Sequence, residues 1–258
     1  AMKRVAGGGV GSPGPIDGDA GVVVAPPNLA GWRDVPLARL LGKRLGVQLG
    51  LANDANVAGL AEQRFGAGRG CASLIYLTVS TGIGGALLQR GELVTGARGA
   101  AGEVGHLVIL PDGPLCGCGR RGCLEALSSG TAVARSGREL VRAGVASTLT
   151  DRFSGRPSRI TAAVVAEHAA AGDPEAARIL ARAMRYLGLG VASLVNVLNP
   201  DRVVIGGGLT AMGDALFDPV RRAVARQANP VAAASVEVVP AELGAHSGVI
   251  GAAALAML

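Results

Sequence analysis

The chain has 258 residues, of which 49% are apolar and only 2% aromatic, so a large core must be built from Ala, Val, Leu and Ile. Its net charge is +6, but the arginines that carry it are scattered and lack interleaved aromatic side chains, so we expect no nucleic-acid partner. No run of 18 apolar residues and no signal-peptide pattern occurs, which predicts no membrane partner and a cytoplasmic location.

Strands and helices are predicted to alternate along the chain, which is typical of an α/β fold. The predicted strands cover 4–11, 21–27, 47–52, 72–79, 202–208 and 236–240. The predicted helices cover 35–46, 53–65, 130–143, 160–171, 174–198, a segment that ends near 228, and 248–257. A hairpin follows strand 72–79, with its tip near Arg90-Gly91. His168 lies in an alanine-rich helical stretch and is expected at the surface.

Three of the four cysteines fall within the eight residues Cys116 to Cys123. A disulfide between Cys116 and Cys118 would be strained, so a metal site is the better interpretation. With His106 upstream, the spacing His106-x9-Cys116-x-Cys118-x4-Cys123 supplies the Cys3His ligand set of a structural Zn²⁺ site. The alternative is a glycine-rich loop whose thiols bind nothing.

Three glycine-rich segments are candidate phosphate-binding loops. Residues 9–14, GVGSPG, match G-x-G-x-x-G, but Pro13 and Pro15 prevent the helix that such a loop must open. Residues 80–85, STGIGG, and the glycines 206–208 each follow a predicted strand, where backbone N–H groups can hold phosphate oxygens. Each of these two could also be a plain turn.

The order of several motifs resembles that of the ROK family, which contains ATP-dependent sugar kinases and sugar-responsive repressors. The motifs are APPNLAGW, LANDANVAGLAE, STGIGG, GAAGEVGHL, CGCGRRGCLEALSSG and VVIGGGL, and they span essentially the whole chain. The resemblance implies a two-lobed actin/hexokinase-like (ribonuclease H-like) α/β fold. Residues 1–52 plus 246–258 would form the small N-terminal lobe, and residues 53–245 the large lobe with a zinc loop at 106–123.

The resemblance also implies roles for individual residues. Asp54 would be the catalytic base, and its position at a helix N-terminus is expected to lower its pKa. The implied sugar-binding residues are Gly14, Asn28, Asn53, Asp54, Glu103, His106 and Glu125. The implied ATP-binding residues are Thr81, Gly82, Gly84, Gly207 and Gly208. His106 would serve both the zinc ion and the sugar.

The implied function is phosphorylation of a hexose at its 6-hydroxyl by ATP and Mg²⁺, with glucose as the expected substrate, in a homodimer or homotetramer. The family's N-terminal D-x-G-G-T phosphate clamp does not occur in the sequence, so an incomplete N-terminal lobe is expected. This leaves two explanations, a sequence that is part of a longer natural chain or a truncated and impaired protein, and intact downstream motifs favour the first. The alternative functions are the effector domain of a repressor and an inactive sugar-binding protein.

Overall fold

The computed structural model describes residues 5–26 and 29–257, so the predicted sugar contact Asn28 lies outside the described residues. The strands are β1 (Gly7–Ser12), β2 (Ile16–Asp17), β3 (Val22–Val23), β4 (Gln48–Asn53), β5 (Ser73–Val79), β6 (Ile83–Gln89), β7 (Glu92–Leu93), β8 (Arg202–Gly206) and β9 (Glu237–Pro240). The helices are α1 (Leu37–Leu45), α2 (Asp54–Phe65), α3 (Leu124–Ser128), α4 (Gly130–Arg142), α5 (Thr148–Phe153), α6 (Ala162–Ala170), α7 (Pro174–Leu198), α8 (Asp214–Gln227), α9 (Pro230–Ser235) and α10 (Ser247–Leu255). Within these described ranges, no helix combines the length and the apolar character needed to cross a membrane.

A five-stranded mixed sheet carries the main core, in the order β7-β6-β5-β8-β9. Strand β5 is antiparallel to β6 and parallel to β8. Apolar residues of β5 and β8 are buried together with residues of α4, α6, α7 and α8. A continuous apolar sequence, as in β5 and β8, is typical of a central strand that is covered on both faces. Because β5 and β8 are parallel, their C-terminal ends meet at one edge, where Thr78 pairs with Gly206.

A second, two-stranded parallel sheet brings the end of β1 next to the end of β4, with Ser12 opposite Asn53. Helix α10 packs closely on β1 and on α2, and both contacts depend on glycine. A Cβ added at Gly9 would lie 2.0 Å from the carbonyl oxygen of Ala252, and one added at Gly251 would lie 1.7 Å from that of Val57. This packing fixes the start of α2 against the ends of β1 and β4.

The structure confirms the long predicted elements and differs at the short ones. The predicted helix 174–198 is α7, and the predicted strand 72–79 matches β5. The predicted strand 21–27 is reduced to Val22–Val23, and the helices α3, α5 and α9 were not predicted. These helices have only five or six residues, too few to show a helical period, and such short helices depend on tertiary contacts for their stability.

The expectation that His168 lies at the surface is wrong, since its exposed fraction is 7%. Its Nδ1 lies 2.6 Å from Oγ1 of Thr148, and that hydroxyl donates to Oδ2 of Asp173 at 2.6 Å. Asp173 also caps α7 by accepting the N–H groups of Glu175 and Ala176. The pKa of Asp173 is held below its ordinary value; burial opposes this shift, but hydrogen bonds from Thr148 and other donors outweigh it. This buried network joins α5, α6 and α7.

Candidate active site and metal cluster

Asn53 and Asp54 lie where β4 ends and α2 begins. Asn53 is the N-cap of α2, and its Oδ1 accepts the N–H of Ala55 at 2.9 Å. Oδ1 of Asp54 accepts the same N–H at 2.7 Å. The cap holds both side chains at the open end of the helix, beside the end of β1.

A cavity of about 90 Å³ opens at this point. Gly14 lies close by, since a Cβ there would be 2.9 Å from Nδ2 of Asn53 and 4.0 Å from Oε1 of Glu103. The cavity is lined by Pro15 and Ile16, by the start of α2 (Asn53, Asp54 and Asn56), by Gly84 and Gly85 of β6, and by the loop 99–103. The predicted sugar residues Gly14, Asn53, Asp54 and Glu103 are therefore brought together in space. Gly84, predicted to bind nucleotide, lies in the wall of this same cavity.

The expected lowering of the Asp54 pKa is wrong. As a whole residue, Asp54 is exposed to solvent. Neighbouring atoms nevertheless displace water from its carboxylate, and this desolvation raises the pKa of Asp54. The hydrogen bond from the backbone N–H of Ala55 lowers the pKa but offsets only part of the rise. The helix N-terminus stabilises the charged form as predicted, but the loss of solvent is the larger effect. A carboxylate with a raised pKa is a stronger base.

The ligand atoms of His106, Cys116, Cys118 and Cys123 all lie within 4.8 Å of one another. Nδ1 of His106 is 3.7 Å from Sγ of Cys116, and the sulfurs of Cys118 and Cys123 are 3.7 Å apart. In a tetrahedral site with Zn–S bonds of about 2.3 Å, neighbouring sulfurs are about 3.8 Å apart. The four residues predicted as metal ligands therefore fit a tetrahedral ion by both donor chemistry and spacing.

Two carboxylates flank this metal cluster. Nε2 of His106, the nitrogen that faces away from Cys116, is 3.9 Å from Oε2 of Glu103. On the other side, Oε1 of Glu125 is 3.7 Å from Sγ of Cys116, and its Oε2 accepts the N–H of Ile83 at 2.9 Å. Glu125 therefore connects the metal loop to the 80–85 turn, a protein contact that its predicted sugar role did not include.

The two predicted nucleotide turns meet at the edge where β5 and β8 end. A Cβ added at Gly207 would lie 2.5 Å from the carbonyl oxygen of Val79, so the glycine turn 206–208 packs directly on the turn that carries Thr81 and Gly82. The start of α4 joins them, because the N–H of Gly130 donates to the carbonyl of Ser80 at 2.7 Å. Thr81, Gly82, Gly207 and Gly208 thus form one surface.

Among the buried polar residues that the sequence did not single out are Asn56 and Glu62. Asn56 lines the cavity of Asp54 and has an exposed fraction of 4%. Glu62 is fully buried near the C-terminal end of α2. The second Asn of NDAN was the available signal for Asn56, because residues three apart share one face of a helix. Glu62 gave no signal, since a single Glu in a helix is ordinarily exposed.

The ROK family model matches residues 1–258. The chain belongs to the ROK family. Glucokinase from Thermotoga maritima is 41% identical to this ROK protein over 247 residues, covering 96% of this chain and 78% of the glucokinase.

Solved ROK structures share the fold. The ROK hexokinase of Thermus thermophilus superposes with a TM-score of 0.80 at 40% identity, over 96% of this chain and 77% of that one. A ROK glucokinase from Streptomyces griseus, in complex with glucose and AMPPNP, gives 0.81 at 34% identity, over 98% and 82%. A ROK transcriptional regulator, a homologue of the E. coli MLC protein, gives 0.86 at 27% identity, over 98% and 62%. The predicted α/β fold of the actin/hexokinase type is confirmed.

Proposed function

We propose that this ROK protein is an ATP-dependent hexose kinase that phosphorylates the 6-hydroxyl, with glucose as its substrate. The observation that carries the proposal is the shared cavity of Asn53, Asp54 and Glu103. Gly84 also lines this cavity and lies two residues after Gly82, so the cavity is close to the Thr81–Gly82 turn. The S. griseus relative, which binds glucose and AMPPNP together, supports an arrangement in which sugar and nucleotide bind at once.

In this mechanism Asp54 accepts the proton of the sugar hydroxyl as the hydroxyl oxygen attacks the terminal phosphorus of ATP; the bond from that phosphorus to the bridging oxygen breaks, and ADP leaves. A positioned base contributes about 10²- to 10⁴-fold in rate, and the raised pKa of Asp54 favours acceptance of the proton. Glu103 and Asn53 lie in the same cavity and hold other hydroxyls through hydrogen bonds. Because these residues hold the sugar in one orientation, its attack on ATP becomes effectively unimolecular.

On the donor side, the backbone N–H groups of the Thr81–Gly82 turn and of Gly207–Gly208 receive the phosphates. Mg²⁺ bound to ATP would supply neutralisation of the charge on the transferred phosphoryl group. Only backbone atoms can approach the phosphates closely at Gly207, since a side chain there would collide with the carbonyl of Val79. The transfer therefore depends on positioning and charge neutralisation.

The proposed ion at the metal cluster is a structural Zn²⁺, held by His106, Cys116, Cys118 and Cys123. Four protein ligands leave no open position for a reacting water, so the ion's role is to fix the loop. Fixing this loop holds Glu103 and Glu125 on either side of it. We propose that the second nitrogen of His106, Nε2, contacts the sugar.

The proposed lobes, residues 1–52 with 246–258 and residues 53–245, place the cavity at their junction. Helix α2 packs on α10 and also on β5 and β6, so it spans the proposed boundary. Assembly as a homodimer or homotetramer belongs to the same proposal, and light scattering on the purified protein measures it.

The test is a panel of hexoses assayed for ADP release, with wild type beside Asp54→Asn. We expect sugar-dependent ADP release by wild type, greatest with glucose, and a loss of it in the variant while glucose still binds. Absence of release with every hexose would contradict the kinase proposal, and equal rates in the variant would contradict the role of Asp54. Zinc content is measured on the same preparation by mass spectrometry.

A second candidate, the effector domain of a sugar-responsive repressor, is favoured by the structural similarity to the ROK transcriptional regulator. A repressor needs the sugar site but not the nucleotide surface. Calorimetric titration with AMPPNP in the presence of glucose separates the two candidates. Binding supports the kinase, and absence of binding together with intact sugar binding supports the effector domain.

A further inference from the structure

Asn56 is the feature of the cavity that the mechanism above does not use. It lies two residues after Asp54 in α2, and only 4% of it is exposed. The cavity of Asn53, Asp54 and Glu103 is also lined by Asn56. Its Oδ1 is 3.6 Å from the point where a Cβ on Gly102 would lie, so the amide stands beside the loop that ends in Glu103.

No side-chain hydrogen bond within residues 5–26 and 29–257 involves Asn56; the nearby N–H of Ala55 is accepted by Asn53 and Asp54. Its amide atoms are not sealed off, since the fully buried side-chain atom without a partner in those residues is Nε2 of His168, so the amide is open to the cavity. Polar groups of largely buried residues are almost always hydrogen-bonded to protein or water, so the partner of this amide is whatever fills the cavity. An Asn amide offers two donors and one acceptor oxygen. Since Asn56 lines the cavity, those groups are available to whatever occupies it.

The chemistry of the neighbouring groups indicates the kind of occupant. Asp54 and Glu103, when ionised, can only accept hydrogen bonds. Oδ1 of Asn53 is already engaged by the N–H of Ala55. A sugar hydroxyl both donates and accepts, so a hydroxyl that donates to a carboxylate still needs a donor for its own oxygen. The amide of Asn56 supplies such a donor.

We propose that the Asn56 amide binds a hydroxyl of the monosaccharide directly and is a specificity-determining residue of the sugar site. The proposal rests on the proposed function, because it takes a hexose as the occupant. Asn56 contributes to recognition of the sugar and not to the transfer step, since it contacts a hydroxyl other than the one that Asp54 deprotonates.

The first test compares sugar affinity with stability in Asn56→Ala. We expect the glucose dissociation constant and KM to rise about 2- to 13-fold, which is the range for losing one hydrogen bond between uncharged groups. We expect kcat and the KM for ATP to change by less than about twofold. The melting temperature without sugar should stay the same, because the amide makes no hydrogen bond within the described part of the chain.

Two further variants separate binding from packing. Asn56→Asp keeps the shape but removes both donors, so it should weaken glucose binding at least as much as Asn56→Ala. Gln63→Ala is the matched control in the same helix, because its amide donates to the carbonyl of Cys71 at 3.4 Å, outside the cavity. It should leave glucose affinity unchanged.

The second test uses glucose analogues that each lack one hydroxyl. If Asn56 binds a particular hydroxyl, removing that hydroxyl should cost wild type affinity but cost Asn56→Ala nothing further, whereas the other deoxy sugars should show additive losses. This result would also identify the hydroxyl.

The outcomes are distinguishable. If wild type binds no hexose, the proposed function fails. If wild type binds glucose and Asn56→Ala binds it equally well, the inference about Asn56 is overturned while the function stands. A melting temperature that falls in both Asn56→Ala and Asn56→Asp without sugar would show a packing role and would also overturn it.

Discussion

Replacement of Glu62 by alanine tests how α2 is held to the segment that leads into α10. Glu62 is fully buried, and its two oxygens accept three backbone N–H groups. Oε2 accepts from Ala67 at 2.9 Å and from Glu242 at 3.1 Å, and Oε1 accepts from Leu243 at 2.9 Å. Two of these donors are about 180 residues away in the sequence, so the carboxylate joins distant parts of the chain.

The magnitude follows from these three bonds. Each buried donor left without an acceptor costs about 1–3 kcal/mol. Glu242 is exposed and Leu243 is partly exposed, so water can reach their N–H groups after the change, and about 1 kcal/mol applies to each. Ala67 is buried, so its N–H costs about 1–3 kcal/mol. The total is about 3–5 kcal/mol, which for a chain of this size lowers the melting temperature by about 6–20 °C.

The assay is thermal unfolding followed by circular dichroism, with urea unfolding for the free energy. Glu62→Gln keeps one acceptor oxygen but turns an amide toward one donor, so it should lie between wild type and Glu62→Ala. Glu242→Gln is the matched control, because it removes only the exposed ion pair with Arg69, which is worth at most about 1 kcal/mol. If Glu62→Ala unfolds within about 2 °C of this control, water satisfies the three donors and our reasoning is wrong.

Three further predictions concern the site. Chelation, or the substitution Cys123→Ser, should remove the bound zinc and lower the melting temperature. Mass spectrometry measures the zinc content. A purified protein that contains no metal and is as stable as before would contradict this prediction. Asp54→Asn should lower kcat about 10²- to 10⁴-fold. In wild type, kcat/KM should fall as pH falls through the raised Asp54 pKa, with a midpoint above the ordinary 3.8; a midpoint below 3.8 would refute the burial argument. Gly207 has φ 90°, and a Cβ added there would lie 2.5 Å from the carbonyl oxygen of Val79. Gly207→Ala should therefore destabilise the protein by about 1–3 kcal/mol and weaken AMPPNP binding in calorimetry. Unchanged affinity would show that the turn lies outside the nucleotide site.

Local features of the sequence were enough to predict the metal cluster. Three of its four ligands lie within eight residues, and short loops with glycines between the ligands can bring sulfurs together without help from the rest of the fold. His106 was also predicted because only nine residues separate it from Cys116 in the sequence. The long helix 174–198 was predicted for a similar reason, since its apolar period persists over seven turns.

The sign of the Asp54 pKa shift could not be obtained from sequence. The helix N-terminus is a local feature and was predicted correctly, but desolvation depends on which distant atoms surround the carboxylate. His168 shows the same limit, because its partner Thr148 belongs to α5 and the hydroxyl of Thr148 in turn donates to Asp173, the N-cap of α7.

The sequence by itself determined the family, the main helices and strands, and the Cys3His set of candidate metal ligands, because each is encoded in a local pattern of residue types. Only the tertiary structure showed that Asn56 lines the cavity with no hydrogen-bond partner among the described residues, and that Glu62 accepts N–H groups from residues 242 and 243. The physical reason is that burial and hydrogen-bond satisfaction are properties of a residue's surroundings in space, and segments far apart in the chain supply those surroundings.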